Sequence, residues 1–183
     1  MLNGQLIKHF RSDKVLALLI YLIVEAAQVH PRGKLAGLLW PDQPERMARH
    51  NLSQTLLRLR TVLQDSPADS NFVTTTRQVL QFNRHSQYQL DVQAFEMALV
   101  EAEAASNDEH RRIHHLRQAV ELYRGDFLPH FYLEDSDLFE EWAITKRAYL
   151  RQEVFSTLET LIAYYDAGAN MNRGSIMLAA WWS

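Results

Sequence analysis

Between residues 44 and 65 the sequence PERMARHNLSQTLLRLRTVLQD places guanidinium, imidazole, amide and hydroxyl groups on one helical period. Wound at about 100° per residue, Arg46, His50, Gln54, Leu57, Arg58 and Thr61 share one face, flanked by Arg49, Ser53 and Arg60. After Glu45 the stretch carries no acidic residue until Asp65. A merely solvated helix face mixes both signs of charge; this one is basic, with amide and hydroxyl groups interleaved. That inventory suits phosphate neutralisation and the reading of base edges in a major groove. In that chemistry Arg49, Arg58 and Arg60 clamp phosphates. Gln54 and His50 are the base readers, Gln54 by bidentate contact to adenine, and Leu57 meets a thymine methyl.

A helix can present such a face only if its other side is held. Ala48, Leu52, Leu56, Leu59 and Leu63 recur at steps of three and four on the opposite stripe, which predicts burial there. Upstream, a helix is predicted over 14–27, with Leu16, Leu19, Ile20, Ile23 and Val24 as its apolar face and Ser12 or Asp13 as its cap. His30-Pro31 breaks the chain, with Pro31 suited to a first helical position, and a second helix follows over 32–40. Pro41-Asp42-Gln43-Pro44 makes a rigid turn before the long basic helix, giving a helix-turn-helix arrangement. Residues 2–10 are a candidate strand. The β-prone runs 72–75 and 79–82, separated by Thr76-Arg77-Gln78, predict a hairpin whose tip carries Arg77 toward a phosphate or the minor groove. A plain ribbon packed on the core is the alternative for that hairpin.

From Asp91 onward the pattern is helix after helix. One run holds Val92, Phe95, Leu99 and Val100. A second, opened by Asn107 or Asp108, holds Ile113, Leu116, Ala119, Val120 and Tyr123. A third starts at Ser136 or Asp137 and is expected to stop at Gly168. Paired helices of this length suit a tetratricopeptide-like helical repeat, of which about one is visible.

Composition bounds the function classes. The 183 residues contain no cysteine, which excludes disulfides and thiolate chemistry and fits a cytoplasmic protein. The apolar run over 15–24 is too short to span a membrane. The net charge of −3 conceals an asymmetry: residues 1–90 hold 11 Lys/Arg against 6 Asp/Glu, residues 91–183 hold 8 against 16. A basic half joined to an acidic half predicts one domain that meets a polyanion and one that does not. No phosphate-binding glycine loop occurs. His110 and His114 lie at i, i+4 beside His115, but with no Glu after the first and no third ligand, so no metal is expected. The acidic run 134–137 lacks the ligand and glycine positions of a calcium loop and reads as a helix start. Neither a cofactor nor an enzymatic activity is expected.

The segments FRSDKVLALLIYL (10–22), GLLWPDQPERMARHNLSQTLLRLRTVL (37–63) and LDVQAFE (90–96) resemble bacterial SARP-type transcriptional activators. LRQAVELYRGDFLP (116–129) and FEEWAITKRAYL (139–150) resemble the bacterial transcriptional activator domain of the same family. The resemblance covers about residues 10–165 and implies a mainly α (α+β) protein. An OmpR/PhoB-like winged helix with a hairpin wing would occupy 1–88 and a TPR-like helical domain 89–168. It further implies that 44–63 enters the major groove and that Trp40, Pro41, Asp42 and Gln43 lie where relatives approach RNA polymerase. Side-by-side subunits, a homodimer on direct repeats of double-stranded DNA, are implied as well. Against that pattern the strands preceding residues 4–10 are mostly missing and 169–183 reads as a divergent apolar tail, so a chain truncated at both ends is expected, with a hairpin short of sheet partners. A protein-interaction module that no longer binds DNA by itself is the alternative function.

Overall fold

A computed structural model describes residue 10, residues 12–65 and residues 71–181, with side chains through residue 167. The candidate strand over 2–10 falls almost entirely outside the described residues. Packing divides the chain into two units, Met1–Leu90 with Leu128–Lys146, and Asp91–Phe127 with Arg147–Ser183.

The first unit holds helices α1 (Asp13–Val24), α2 (Arg32–Leu39) and α3 (Glu45–Leu63), with strands β1 (His30–Pro31), β2 (Val73–Thr75) and β3 (Val79–Phe82). Its core is aliphatic. The α3 stripe Ala48, Leu52, Leu56, Leu59 and Leu63 is buried as its period demands, and each leucine so removed from water stabilises the fold by about 2 kcal/mol. On α1 the buried residues are Val15, Ala17, Leu18, Leu19, Tyr21 and Leu22, while Leu16, Ile20, Ile23 and Val24 are only half-buried. The expected face was therefore rotated. The run is apolar nearly all round, so periodicity cannot select the stripe that α2 and α3 cover.

The three strands form one antiparallel sheet in the order β1-β3-β2. Val73 pairs with Phe82 and Thr75 with Leu80 across the hairpin, and His30 and Pro31 pair with Leu80 and Val79 on the other side. His30-Pro31 thus does more than break the chain: it supplies a third strand, and the hairpin is not left without a sheet partner. Pro31 suits an edge because its missing N–H asks for no acceptor. It sits just outside α2, at the cap, rather than at the first helical position.

Two polar nodes fix this unit. Asp65 is buried, and its carboxylate accepts from the backbone N–H groups of Asn71 (2.7 Å), Phe72 (3.3 Å) and Val73 (3.0 Å). It therefore joins the end of α3 to the start of β2. Gln64, in the left-handed region at φ 54°, turns the chain so that this is possible. The second node is Lys14. Its ammonium donates to the carbonyls of Leu39 (2.8 Å), Glu134 (2.7 Å) and Asp135 (3.2 Å) and to the Ser136 hydroxyl, which itself donates to Leu39 (2.6 Å). Burial lowers the Lys14 pKa, partly opposed by the Asp135 charge. Residues 128–146, expected within an 89–168 domain, pack here because Phe139 and Leu133 are buried and Trp142 meets Tyr21 edge-to-face at 4.9 Å while donating to Glu25 (3.0 Å).

In the second unit α4 (Asp91–Ala104) and α5 (Glu109–Leu122) pack against α6 (Asp137–Trp181) from Arg147 onward. Phe95, Ala98, Ala119, Leu150 and Val154 form one cluster; Ala102, Ile113, Leu116 and Leu161 form the next. Val100, expected on the apolar face of α4, points outward at 60% exposure, and alanines take the close contacts instead. Asp108 caps α5 through its carboxylate, which accepts from Arg111 N–H (3.1 Å). α6 does not stop at Gly168 but runs on to Trp181. One interior glycine costs a helix only about 1 kcal/mol, and no proline follows to end it.

Two outcomes test these contacts. Asp65→Ala strands three backbone N–H groups, so urea denaturation should show a loss on the order of 3 kcal/mol. In the second unit Arg151 donates to Asp126 through Nε (2.6 Å) and Nη2, and the Tyr123 hydroxyl donates to the same carboxylate (3.1 Å). These bonds, the Arg151 ones foremost, lower the Asp126 pKa from 3.8 to about 2. The depressed value means that the stability it contributes is fully present above pH 3.8 and lost as pH falls through about 2. Asp126→Asn should therefore flatten the acid limb of a stability-versus-pH curve and leave a smaller wild-type excess at pH 2 than at pH 5.

Candidate nucleic-acid interface

Burial of the leucine stripe forces the opposite face of α3 into solvent. Arg46, Arg49, His50, Ser53, Gln54, Leu57, Arg58 and Thr61 are all exposed, Leu57 at 61%. A leucine held that far in water on an otherwise polar face is one available for apolar contact. Thr61 is partly committed, donating to the Leu57 carbonyl (3.1 Å), and Ser53 donates likewise to the Arg49 carbonyl (2.9 Å). Arg77 is exposed in the turn between β2 and β3. That turn is closed by Thr76 N–H to the Val79 carbonyl (3.0 Å) and tightened by Gln78 and Val79 N–H groups donating to the Thr76 hydroxyl (3.2 Å each).

Arg60 does not belong to this exposed set. It is only 8% exposed, and its Nη2 donates to the Val73 carbonyl at 3.1 Å. Its Nε has no hydrogen-bond partner among the described residues. The expectation that it clamps a phosphate from the solvent face is corrected: 19-residue α3 carries Arg60 in its last turn, where the chain doubles back and β2 covers it. Helical spacing alone places Arg60 beside the exposed face; only the return of the chain buries it.

Arg49 is exposed but engaged, with Nε and Nη2 each 2.8 Å from Glu45 Oε1. A pair this exposed contributes little to stability, and it leaves Arg49 available to a stronger anion. Its guanidinium also lies against Gly33, where Nη2 would be 2.9 Å from a Cβ if one were present.

Arg32 was not among the expected site residues. Its Nη2 donates to Ser53 Oγ (2.9 Å), its Nη1 to Thr75 Oγ1 (3.3 Å), and its backbone N–H to the Gln78 carbonyl (2.8 Å). It ties α2, α3 and the hairpin together. Burial and then the neighbouring charges of Arg49 and Arg60 lower its pKa. No periodicity signals such a residue, because it stands at the first position of a short helix. Only the fold of the hairpin brings Thr75 to it.

The turn before α3 is a surface feature at Pro41, Asp42 and Gln43, with Gln43 N–H donating to the Trp40 carbonyl (3.3 Å). Trp40 itself is half-buried, with the Lys14 ammonium 6.0 Å from its ring centroid. On α5, His115 Nδ1 lies 3.1 Å from Glu101, and among the described residues no three His, Asp or Glu side chains converge as a metal would require.

Fold and site together define a mainly helical protein with a small antiparallel sheet, presenting a basic helix face beside an arginine-tipped hairpin. Residues 90–180 match the family model of the bacterial transcriptional activator domain. This half of the chain therefore carries a domain found in bacterial transcriptional activators, which supports a regulatory role. The match extends to residue 180, beyond the 165 at which the residue-level resemblance ended. No curated protein matches the chain. No helix among the described residues is long and apolar enough to cross a membrane.

The two arginines on either side of Leu59 are distinguishable by stability alone. Arg60→Ala should cost about 2 kcal/mol, because it removes a charge-assisted bond to Val73 and the packing of a buried stem. Arg58→Ala should stay within about 0.5 kcal/mol of wild type. Equal losses in urea titrations would contradict the burial assigned to Arg60.

Proposed function

We propose that the first unit is a winged helix that binds double-stranded DNA and that the whole chain is a SARP-type transcriptional activator without enzymatic activity. One observation carries the reading: the entire Arg46–His50–Gln54–Leu57–Arg58–Thr61 face is solvent-exposed, on a helix whose opposite stripe is fully buried. Such a helix enters a major groove of about 12 Å as a rigid body. Arg46, Arg49 and Arg58 meet phosphates, Gln54 and His50 meet base edges, and Leu57 meets a thymine methyl. The hairpin acts as the wing, with Arg77 on an adjacent phosphate or in the minor groove.

The family match over 90–180 supports the regulatory half of the reading. In it, the turn Trp40-Pro41-Asp42-Gln43, exposed at its last three residues, faces RNA polymerase, the second unit is a TPR-like repeat, and two copies sit side by side on direct repeats. The protein works in the cytoplasm, where its DNA is. The acidic balance of residues 91–183 beside the basic balance of residues 1–90 favours the N-terminal stretch as the one that meets the phosphate backbone.

A second reading is an interaction module that does not bind DNA by itself. It is favoured by a groove of about 980 Å³ on the second unit, between α4 and α6, lined by Glu96, Val100, Glu103, Tyr149 and Glu153. Selection from a randomised duplex pool, followed by gel shifts across a salt series, separates the two. Specific binding whose affinity falls steeply with salt is expected. Arg58→Ala should weaken every sequence alike and flatten the slope of log K against log salt by roughly one. Absence of binding at all salts by a folded chain would leave the interaction module.

A further inference from the structure

We propose that Arg32, Arg49 and Ser53, where the start of α2 meets α3 and the hairpin, form a pocket for one phosphate-class oxyanion. The pocket takes phosphate oxygens, whether presented by a nucleic-acid backbone or free in solution. Its nucleic-acid form rests on the DNA-binding reading above.

Three guanidiniums are gathered in this corner. Arg32 is held by Ser53 Oγ and Thr75 Oγ1, Arg49 lies against the backbone at Gly33, and Arg60 is buried under β2 with an unpartnered Nε. Arg49 has a carboxylate partner in Glu45; among the described residues Arg32 and Arg60 have no ion pair. Like charges brought together repel: burial first, and then the charges of Arg49 and Arg60, lower the Arg32 pKa. An assembly of this kind is electrostatically incomplete until an anion arrives.

The donors are prepared in advance. A guanidinium has five N–H groups; Arg32 spends one on Ser53 and one on Thr75, and those two hydroxyls hold its plane still while the remaining donors stay available. The Ser53 hydroxyl is itself fixed by donating to the Arg49 carbonyl. A bidentate guanidinium–phosphate contact gains from such pre-orientation, since less side-chain entropy remains to be lost. Helix α2 begins without a side-chain cap, so its positive dipole end adds to the same field. Gly33 has a defined part in this. A side chain there would collide with the Arg49 guanidinium at 2.9 Å and push it away from Arg32. A pocket bridging α2, α3 and β2 also fixes how the wing stands against the recognition helix.

The test uses the full chain as wild type, Arg32→Gln and Gly33→Ala. Gly33→Ala displaces Arg49 without removing charge and adds helix propensity, so it separates loss of the pocket from loss of folding. At constant ionic strength, inorganic phosphate should raise the thermal midpoint of the wild type and leave that of Arg32→Gln in place, with a reduced rise for Gly33→Ala. On duplex DNA, Arg32→Gln should flatten the salt slope by roughly one with the ranking of sequences preserved. Stabilisation by phosphate through Arg32 in a chain that binds no duplex would uphold the pocket as a free-anion site and sink the DNA reading. A flattened slope without a phosphate response assigns the pocket to the nucleic-acid backbone. Duplex binding with an unchanged slope in Arg32→Gln, together with equal phosphate response in both proteins, overturns the pocket and leaves the DNA reading standing.

Discussion

The burial of one stripe of α3 is the constraint on which the first unit depends. Leu52 and Leu59 are wholly inaccessible to solvent, and Ala48, Leu56 and Leu63 nearly so. Because a helix is a rigid cylinder, holding that stripe against α1 and α2 decides where every other side chain of residues 45–63 points. The basic face is exposed as a consequence. So is the direction in which the chain leaves the helix, and therefore the place where the hairpin forms.

The hairpin is held by polar contacts from two sides. Asp65 accepts from three backbone N–H groups at the start of β2, Arg60 donates to Val73, and Arg32 reaches Thr75 from the other side. β1 adds a third strand with two residues. A two-stranded ribbon is marginal by itself; this one has a sheet neighbour and two arginines beneath or beside it. The cost is a concentration of positive charge, with Arg32, Arg49 and Arg60 close enough to act on one another.

The second unit follows a different economy of interactions. Its helices meet through small residues, Ala98, Ala102 and Ala119, with Phe95, Leu116, Leu150 and Leu161 filling the gaps. Among its polar contacts, Asp126 accepts from Arg151 and Tyr123. The positive excess lies in residues 1–90, with 11 Lys/Arg against 6 Asp/Glu, and residues 91–183 hold 8 against 16, so the N-terminal stretch is the one suited to approach a polyanion. The match of residues 90–180 to the bacterial transcriptional activator domain supports a regulatory role.

Residue pattern by itself determined the helix over 45–63, its buried stripe, its exposed basic face, the turn before it and the hairpin with Arg77 at the tip. Each rests on short-range periodicity or turn chemistry, which is local and therefore readable. The resemblance carried by the LLWPD and LYRGDFL segments added the transcriptional setting. Tertiary structure decided the rest. Which side of α1 is buried depended on its neighbours, since an evenly apolar run has no preferred stripe. Arg60 turned inward, and Arg32 came to join α2, α3 and the hairpin, because the returning chain put Val73 over one and Thr75 beside the other. Pro31 became an edge strand only once β3 lay next to it. Lys14 found carbonyls more than a hundred residues away. These contacts join groups distant in sequence, and no local period encodes a partner that the fold itself must first deliver.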